Sequence, residues 1–234
     1  MSKVVTEVFD KVASHYNLMN DLMSLGLHRL WKKAFIKALE PHPEHKLLDL
    51  AGGTGDIAMA FLDAGGGSVI LSDINEKMLA AGNKERLDRG LFNKYKGKLQ
   101  TMVVDATAIP FANSTFDRIT ISFGIRNIAE VDKVLQEAFR VLNKGGRFFC
   151  MEFIKPEGIG LRRNLYDFYS YKILPLLGKI IVKDAAPYLY LADSIRAFLP
   201  SKVFLEKLQQ AGFQGVREDI LIQDLVAIYS GEKL

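Results

Sequence analysis

The sequence predicts an α/β fold with a mostly parallel, doubly wound sheet, and three observations support this prediction. Short apolar runs alternate with segments of helical spacing from residue 46 to residue 152, as parallel strands and their crossover helices do. A glycine-rich stretch at 51–56 directly follows the first apolar run, where such a fold turns from strand to helix. Two strand-like runs near the C-terminus are joined at 223–224 and predict an antiparallel pair.

Composition narrows the class of protein. The 234 residues are enough for one α/β domain with an added lid, and 49% of them are hydrophobic, so the chain is globular. The net charge of +4 comes without a dense basic cluster, so we do not expect a nucleic-acid partner. The sequence has no stretch of 18 or more residues without a charge, so we predict no membrane-spanning helix. The four histidines and the single cysteine form no metal-ligand pattern, so we expect no metal site.

The segment before the first strand is predicted to be helical. Residues 4–39 have apolar side chains at helical spacing, with a break at 25–26. In the second half, Leu30, Ala34 and Leu39 are predicted to share the inward face. These helices are an addition ahead of the core fold.

The core elements follow from apolar runs, helical spacing and glycine punctuation. The predicted strands run through Leu47 and Leu48 and then over 69–71, 99–104, 118–122, 147–152, 216–222 and 225–230. The predicted helices begin near residue 57 and then cover 74–83, 130–142 and 202–212, with 143–146 as the stop after the third of them. Residues 156–200 break the alternation and, being rich in aromatics, predict two or more helices. These helices form a lid over a substrate, provide extra packing for the core, or do both.

The stretch at 49–55 has the pattern D-x-A-x-G-x-G, with Gly53 and Gly55 as its glycines. Two kinds of site use such a loop. A dinucleotide fold uses G-x-G-x-x-G, but Ala58 stands where its third glycine would be. A class I methyltransferase uses [D/E]-x-[G/A]-x-G-x-G to hold S-adenosylmethionine, and this stretch resembles that pattern.

Two further strand ends carry residues suited to the same ligand. Asp73 ends the second strand, eighteen residues after Gly55, near the spacing at which an acid meets a ribose. The alternative is that Asp73 caps the following helix. Asp105 and Ala106 end the third strand, where the carboxylate and a backbone N–H are placed to meet an adenine.

Together these stretches resemble the ubiquinone/menaquinone biosynthesis C-methyltransferase family. The resemblance is carried by VFDKVASHYNLMNDLMSLGLHRLWKK, LLDLAGGTGDIA, SDINEKML, IPFANSTFDRITISFGIRN, RVLNKGGRFFCMEF, YDFYSYKILPLLGK and YLYLADSIRAF. It implies the seven-stranded class I methyltransferase sheet with an antiparallel C-terminal strand. The implied single domain, 1–234, divides into N-terminal helices, a cofactor-binding core, a helical substrate lid and a final helix with a strand pair, at 1–43, 44–155, 156–200 and 201–234.

The resemblance also implies the chemistry. S-adenosylmethionine binding falls to Thr54, Asp73, Asp105, Ala106 and Ser122, and the implied substrates are polyprenylated quinols, 2-polyprenyl-6-methoxy-1,4-benzoquinol or demethylmenaquinol. The family's glutamate in YLAESIR is replaced by aspartate at position 193.

Arg126 and Asn127 are the candidate catalytic residues, because FGIRN ends the fourth strand beside the cofactor. Removing a proton from a quinol hydroxyl pushes electron density onto the adjacent ring carbon, and a cationic donor stabilises that state. The alternative for Arg126 is a structural ion pair at the rim of the cleft.

Three other functions stay open from the residues alone. They are an O- or N-methyltransferase acting on another small molecule, a nicotinamide oxidoreductase, and a non-catalytic S-adenosylmethionine-binding protein. We expect a cytoplasmic enzyme that reaches its polyprenyl substrate peripherally at the inner membrane, through the apolar residues 18–27 or through 171–182 with Lys172 and Lys179. The sequence leaves open whether the protein contacts a quinone-biosynthesis complex and whether it forms a homodimer.

Overall fold

A computed structural model describes residues 24, 26–154, 171–172, 175–176, 186–221 and 225–234. Its seven strands are β1 (Lys46–Leu50), β2 (Ser68–Asp73), β3 (Leu99–Val103), β4 (Phe116–Ser122), β5 (Leu142–Phe153), β6 (Gln214–Ile220) and β7 (Val226–Glu232). The α-helices of the described ranges are α1 (His28–Leu39), α2 (Asp56–Asp63), α3 (Glu76–Asp88), α4 (Val131–Val141), α5 (Ala186–Ala197) and α6 (Ser201–Gln210).

The strands form one sheet in the order β3-β2-β1-β4-β5-β7-β6. Strands β1 to β5 pair in parallel, and β7 lies antiparallel between β5 and β6. This order confirms the predicted mostly parallel sheet with its antiparallel C-terminal strand. The order reverses between β1 and β4, so the carboxyl ends of these strands flank the crevice in which an open α/β sheet binds ligands.

Both faces of the sheet are covered, as the apolar strands require. Successive residues of a strand point to opposite faces. Leu48 and Ile70 accordingly pack in one hydrophobic cluster with α4 and α6, whereas Leu47 and Val69 pack in the other with α1 and α2. The central strands are therefore rigid supports for the loops at their ends.

One local prediction is wrong. The inward face of α1 is formed by Trp31, Phe35 and Leu39, while Leu30 is 48% exposed, so the face is rotated by one residue from the predicted one. Helix α4 ends at Val141, just before the stop predicted at 143–146, but β5 begins earlier than predicted, at Leu142, and carries an irregular register there.

The remaining elements match their predictions within a few residues, except that α3 extends to Asp88. The helices predicted before residue 24 and most of the predicted lid lie outside the described residues. Within the described ranges no helix is long and apolar enough to cross a membrane.

Candidate functional site

A cavity of about 390 Å³ opens at the carboxyl ends of the parallel strands. The loops after β1, β2, β3 and β4 supply its lining, and α5 contributes Tyr190. Seven residues singled out from the sequence line this one cavity: Gly53, Asp73, Asp105, Ala106, Ser122, Arg126 and Asn127. Its volume suits a small-molecule ligand of drug-like size.

The glycine loop after β1 is tied to the end of β2. Gly53 and Gly55 have φ angles of 56° and 92°, in the left-handed region that favours glycine. The N–H of Gly52 donates to the carbonyl oxygen of Ser72 at 2.8 Å, and the N–H of Gly53 donates to Asp73 Oδ2 at 2.9 Å. These bonds fix the loop directly beside the buried carboxylate.

Helix α3 packs closely against the same loop. A Cβ at Gly82 would lie 2.3 Å from the carbonyl oxygen of Thr54, so only glycine permits this approach. Arg86 Nη1 donates to the same carbonyl oxygen at 3.0 Å. Thr54 is buried, and neither it nor Gly55 lines the cavity. In this structure the two residues shape and anchor the loop, and their contact with a cofactor stays a prediction.

Asp73 is placed to accept hydrogen bonds from a ligand. Its Oδ1 accepts from the N–H of Asn75 at 2.8 Å, and the helix cap is Asn75, whose side chain accepts from Lys77 and Met78. The alternative in which Asp73 caps α3 is therefore wrong. Burial raises the pKa of Asp73, while the N–H groups of Asn75 and Gly53 oppose that rise. A carboxylate offers about four acceptor sites, and the backbone N–H groups of Asn75, Gly53 and Ile74 do not use all of them, so a ligand hydroxyl can still donate to it.

Asp49, the first residue of the loop motif, lies beneath the cavity rather than in it. It is fully buried, Oδ1 accepts from Thr120 Oγ1 at 2.7 Å, and Oδ2 has no hydrogen-bond partner among the described residues. Burial raises the pKa of Asp49 to about 7, although Thr120 and the nearby N–H of Ala58 oppose the rise. Asp49 therefore supports the loop, but its ionisation in this buried position lowers the stability of the protein as the pH rises.

The loop after β3 forms one wall of the cavity. Asp105 Oδ1 accepts from the N–H of Thr107 at 2.8 Å and from its hydroxyl at 2.7 Å. These hydrogen bonds hold the pKa of Asp105 below its usual range, so the exposed carboxylate is ionised. Ala106 is buried beside it, and its small side chain leaves the wall open to a flat ligand.

Arg126 and Glu152 form a buried ion pair at the opposite end of the cavity. Arg126 Nη1 lies 2.9 Å from Glu152 Oε1, and the two side chains are 6% and 0% exposed. Burial raises the pKa of Glu152, and the guanidinium of Arg126 opposes the rise. Arg126 therefore forms the structural ion pair that was the alternative prediction for it, and it also lines the cavity.

The same guanidinium holds the turn at the end of β4. Arg126 Nη1 donates to the carbonyl oxygen of Phe123, a residue with a φ angle of 54°. Such a backbone conformation is costly for a bulky residue and occurs at functional sites. Arg126 Nε donates to Ser194 Oγ of α5 at 3.2 Å, so one side chain joins the turn, β5 and the helix of the predicted lid.

Asn127 follows on the same turn. Its Oδ1 accepts from the hydroxyl of Tyr190 at 2.7 Å, and both side chains line the cavity. Ser122 ends β4 near this pair. The far end of the cavity therefore combines a guanidinium, a carboxamide and a phenol.

Sequence reasoning missed three of these contributors: Glu152, Tyr190 and Ser194. A glutamate inside the apolar run FFCMEF was a signal for the first, because a buried acid needs a partner. The other two lie in YLYLADSIRAF, where no spacing rule indicates that α5 meets the turn after β4.

Comparison with known proteins identifies related chains. The model of a family described as the ubiE/COQ5 methyltransferase family matches residues 1–233. The "Ubiquinone/menaquinone biosynthesis C-methyltransferase UbiE" of Acidiphilium cryptum is 45% identical over 98% of this chain and 90% of its own length. The "2-methoxy-6-polyprenyl-1,4-benzoquinol methylase, mitochondrial" of Dictyostelium discoideum is 41% identical over 99% of this chain and 82% of its own.

The fold has solved counterparts as well. A SAM-dependent methyltransferase from Aquifex aeolicus superposes with a TM-score of 0.60 at 15% identity, over 87% of this chain and 89% of that one. At this identity the likeness concerns the fold alone.

Proposed function

The chain belongs to the ubiE/COQ5 methyltransferase family, and on that premise we propose that it is an S-adenosylmethionine-dependent C-methyltransferase acting on a polyprenylated quinol ring. The substrate is 2-polyprenyl-6-methoxy-1,4-benzoquinol, demethylmenaquinol or both, since relatives named for each quinone pathway are similar over nearly the whole chain. One observation carries the proposal. A single cavity is lined by the glycine loop, by a buried acid and by the hydrogen-bond donors of the turn after β4.

The residues at the first end fit the cofactor. Gly53 brings backbone to the cavity wall, and a Cβ there would lie 3.1 Å from Met78 Cε, so a side chain would crowd the cradle. Asp73 can still accept from a ribose hydroxyl. Asp105 is ionised and would accept from the exocyclic amine of the adenine, and the backbone N–H of Ala106 would donate to its ring. Ser122 completes the set between the two ends.

When bound, the cofactor supplies a methyl group already activated on a sulfonium. The protein then has two tasks, which are to align the ring carbon with that methyl group and to raise the nucleophilicity of the carbon. Arg126 and Asn127 perform the second task by donating to the quinol oxygen as its proton passes to water. Arginine does not lose its proton in proteins, so Arg126 acts as a donor and not as the base.

We also propose that the enzyme meets its substrate peripherally at a membrane surface. A polyprenyl tail partitions into lipid at about 0.8 kcal/mol per CH₂. Of the apolar stretch predicted for docking, the described residues include Leu176, which is 58% exposed, and Lys172, also exposed. Co-flotation with anionic liposomes should be lost in Leu176→Asp, whereas wild type that never co-floats with a long-tailed quinol present would contradict docking.

Methyl transfer tests the proposed function directly. The protein is incubated with labelled S-adenosylmethionine and with each quinol class, and mass spectrometry locates the methyl group on carbon, oxygen or nitrogen. Asp73→Asn should weaken cofactor binding by about tenfold or more, because the amide replaces a charged acceptor. Asp88→Asn, at the exposed end of α3, is the matched control and should bind normally.

Each outcome decides between the functions that the residues left open. Methylation on oxygen or nitrogen supports the other methyltransferases. Cofactor binding without turnover on either quinol supports a non-catalytic binding protein. NAD binding without S-adenosylmethionine binding contradicts the family-based proposal altogether.

A further inference from the structure

A phenol from α5 meets the carboxamide of a catalytic candidate. The Tyr190 hydroxyl lies 2.7 Å from Asn127 Oδ1, and both side chains line the cavity. Tyr190 is half-buried, and its helix contacts the turn at Ile125–Asn127. The contact therefore lies where the proposed function places the quinol oxygen.

The direction of this hydrogen bond follows from the partners. A phenol at neutral pH carries one proton, and burial raises the pKa of Tyr190, which keeps the proton in place. Among the described residues, the acceptor within reach of that hydroxyl is Asn127 Oδ1. If the carboxamide were turned over, its Nδ2 would donate to the phenol and the phenol proton would lose this acceptor.

The consequence concerns what Asn127 shows to a ligand. Tyr190 occupies one of the two lone pairs of Oδ1, whereas the amide group at Nδ2, which only donates, has no partner among the described residues and keeps both of its N–H bonds available to a ligand. Arg126 next to it also only donates, and its Nε and Nη1 are already engaged by Ser194, Phe123 and Glu152. The substrate end thus presents N–H groups, which favour an oxyanion over a neutral hydroxyl.

We propose that Tyr190 is a positioning residue that fixes the Asn127 carboxamide with its amine toward the substrate oxygen. The inference rests on the proposed function for its substrate, but the hydrogen bond that carries it can be tested separately. Tyr190 acts through Asn127, so its effect on turnover requires Asn127 to be present.

Helix α5 offers a matched control two residues away. Tyr188 is 1% exposed, and its hydroxyl has no hydrogen-bond partner among the described residues. Tyr188 does not line the cavity. Tyr188→Phe removes the same atom from the same helix as Tyr190→Phe, without touching the site.

The kinetic test is a double-mutant cycle with a short-tailed quinol and saturating S-adenosylmethionine. Tyr190→Phe should lower kcat by roughly 10- to 100-fold with unchanged cofactor affinity, because it frees a transition-state donor to turn away. In an Asn127→Ala background the same change should have no further effect, since neighbours that act as a unit are not additive. Tyr188→Phe should leave kcat unchanged.

The pH profile provides a readout that a merely structural role would not move. Donors that stabilise the bound quinolate lower its pKa, so loss of a donor should shift the acidic limb of kcat to higher pH, by about one unit. A Tyr190→Phe enzyme that is slower at every pH with an unmoved limb would contradict positioning of a donor. Equal losses in both Asn127 backgrounds would contradict it as well.

The hydrogen bond is tested without methyl transfer by NMR of the ¹⁵N-labelled protein. The side-chain amide signals of Asn127 should shift in Tyr190→Phe and stay in place in Tyr188→Phe. If wild type transfers no methyl group to either quinol, the proposed function fails, while this shift still supports the positioning contact. Amide signals that are the same in all three proteins overturn the inference whatever the activity.

Discussion

Neutralising Glu152 should destabilise the protein strongly. In Glu152→Gln the side chain keeps its shape, and its oxygen still accepts from the N–H of Phe153, which lies 2.9 Å from Glu152 Oε1. The change removes the negative charge 2.9 Å from Arg126, whose side chain is 6% exposed. Loss of one partner from a buried ion pair leaves an uncompensated charge and costs about 3–5 kcal/mol.

The magnitude can be read from unfolding curves. For a protein of this length each kcal/mol corresponds to about 2–4 °C in Tm, so Glu152→Gln should lower Tm by about 10 °C. Urea titration followed by circular dichroism gives the free energy of unfolding directly. Glu40→Gln is the matched control, because Glu40 also pairs with an arginine, Arg147 at 3.4 Å, but its side chain is 70% exposed. That variant should lose less than about 1 kcal/mol.

A second variant separates charge from packing. Replacing Arg126 and Glu152 together by Met and Gln removes both charges, so the double variant should be more stable than the sum of the single losses predicts. Two results would refute the reasoning that each buried charge is stabilised by the other. One is a double variant whose loss of stability equals the sum of the single losses. The other is a Glu152→Gln loss no larger than that of Glu40→Gln. Cofactor binding measured in parallel should survive, because the pair lies at the other end of the cavity.

Three further predictions test other parts of the structure. The pKa of Asp49 is raised to about 7, so the stability that its protonated form contributes is lost as the pH rises. Between about pH 5 and about pH 8 the free energy of unfolding of the wild type should therefore fall by roughly 3 kcal/mol more than that of Asp49→Asn. Parallel urea titrations measure both changes, and equal changes with pH would contradict the prediction. Gly82→Ala should cost about 1–3 kcal/mol and weaken cofactor binding, because its Cβ would meet the Thr54 carbonyl oxygen; calorimetry that shows wild-type affinity would count against the close packing. Trp31 is buried and Leu30 is exposed, so in thermal unfolding Trp31→Ala should lose about 3–5 kcal/mol of stability and Leu30→Ala less than about 0.5 kcal/mol. A larger loss for Leu30→Ala would support the inward face predicted from the sequence.

The sequence predicted most of the sheet because its signals are local. Buried parallel strands such as β1 and β2 are short apolar runs ended by glycine or an acid, and the loop motif follows β1 with no gap. Asp73, Asp105 and Ala106 could be predicted since strand ends converge at one edge of the sheet. The face of α1 could not, because Leu30 and Trp31 are both apolar neighbours and only tertiary packing decides which is inward.

Contacts between distant segments explain the rest. Glu152 of β5 meets Arg126 of the turn after β4, and Tyr190 meets Asn127 across 63 residues. No periodicity encodes such pairs, since the first depends on how the turn after β4 meets β5 and the second on where α5 meets that turn. The family resemblance supplied Arg126 and Asn127 as candidates but not what holds them.

The paired charges bear on how the proposed substrate enters. A neutral quinol with a polyprenyl tail comes from an apolar phase, and an unpaired buried cation at its binding site would be costly to shield from water. Glu152 balances the charge of Arg126, so the proposed site would accept a neutral ring without that cost. Arg126 Nη2 and Asn127 Nδ2 have no hydrogen-bond partner among the described residues. These donors gain strength as the ring oxygen becomes negative, because hydrogen bonds to charged groups are about twice as strong as neutral ones. The proposed N–H donors would therefore favour the transition state over the bound quinol, and that difference is what accelerates a reaction.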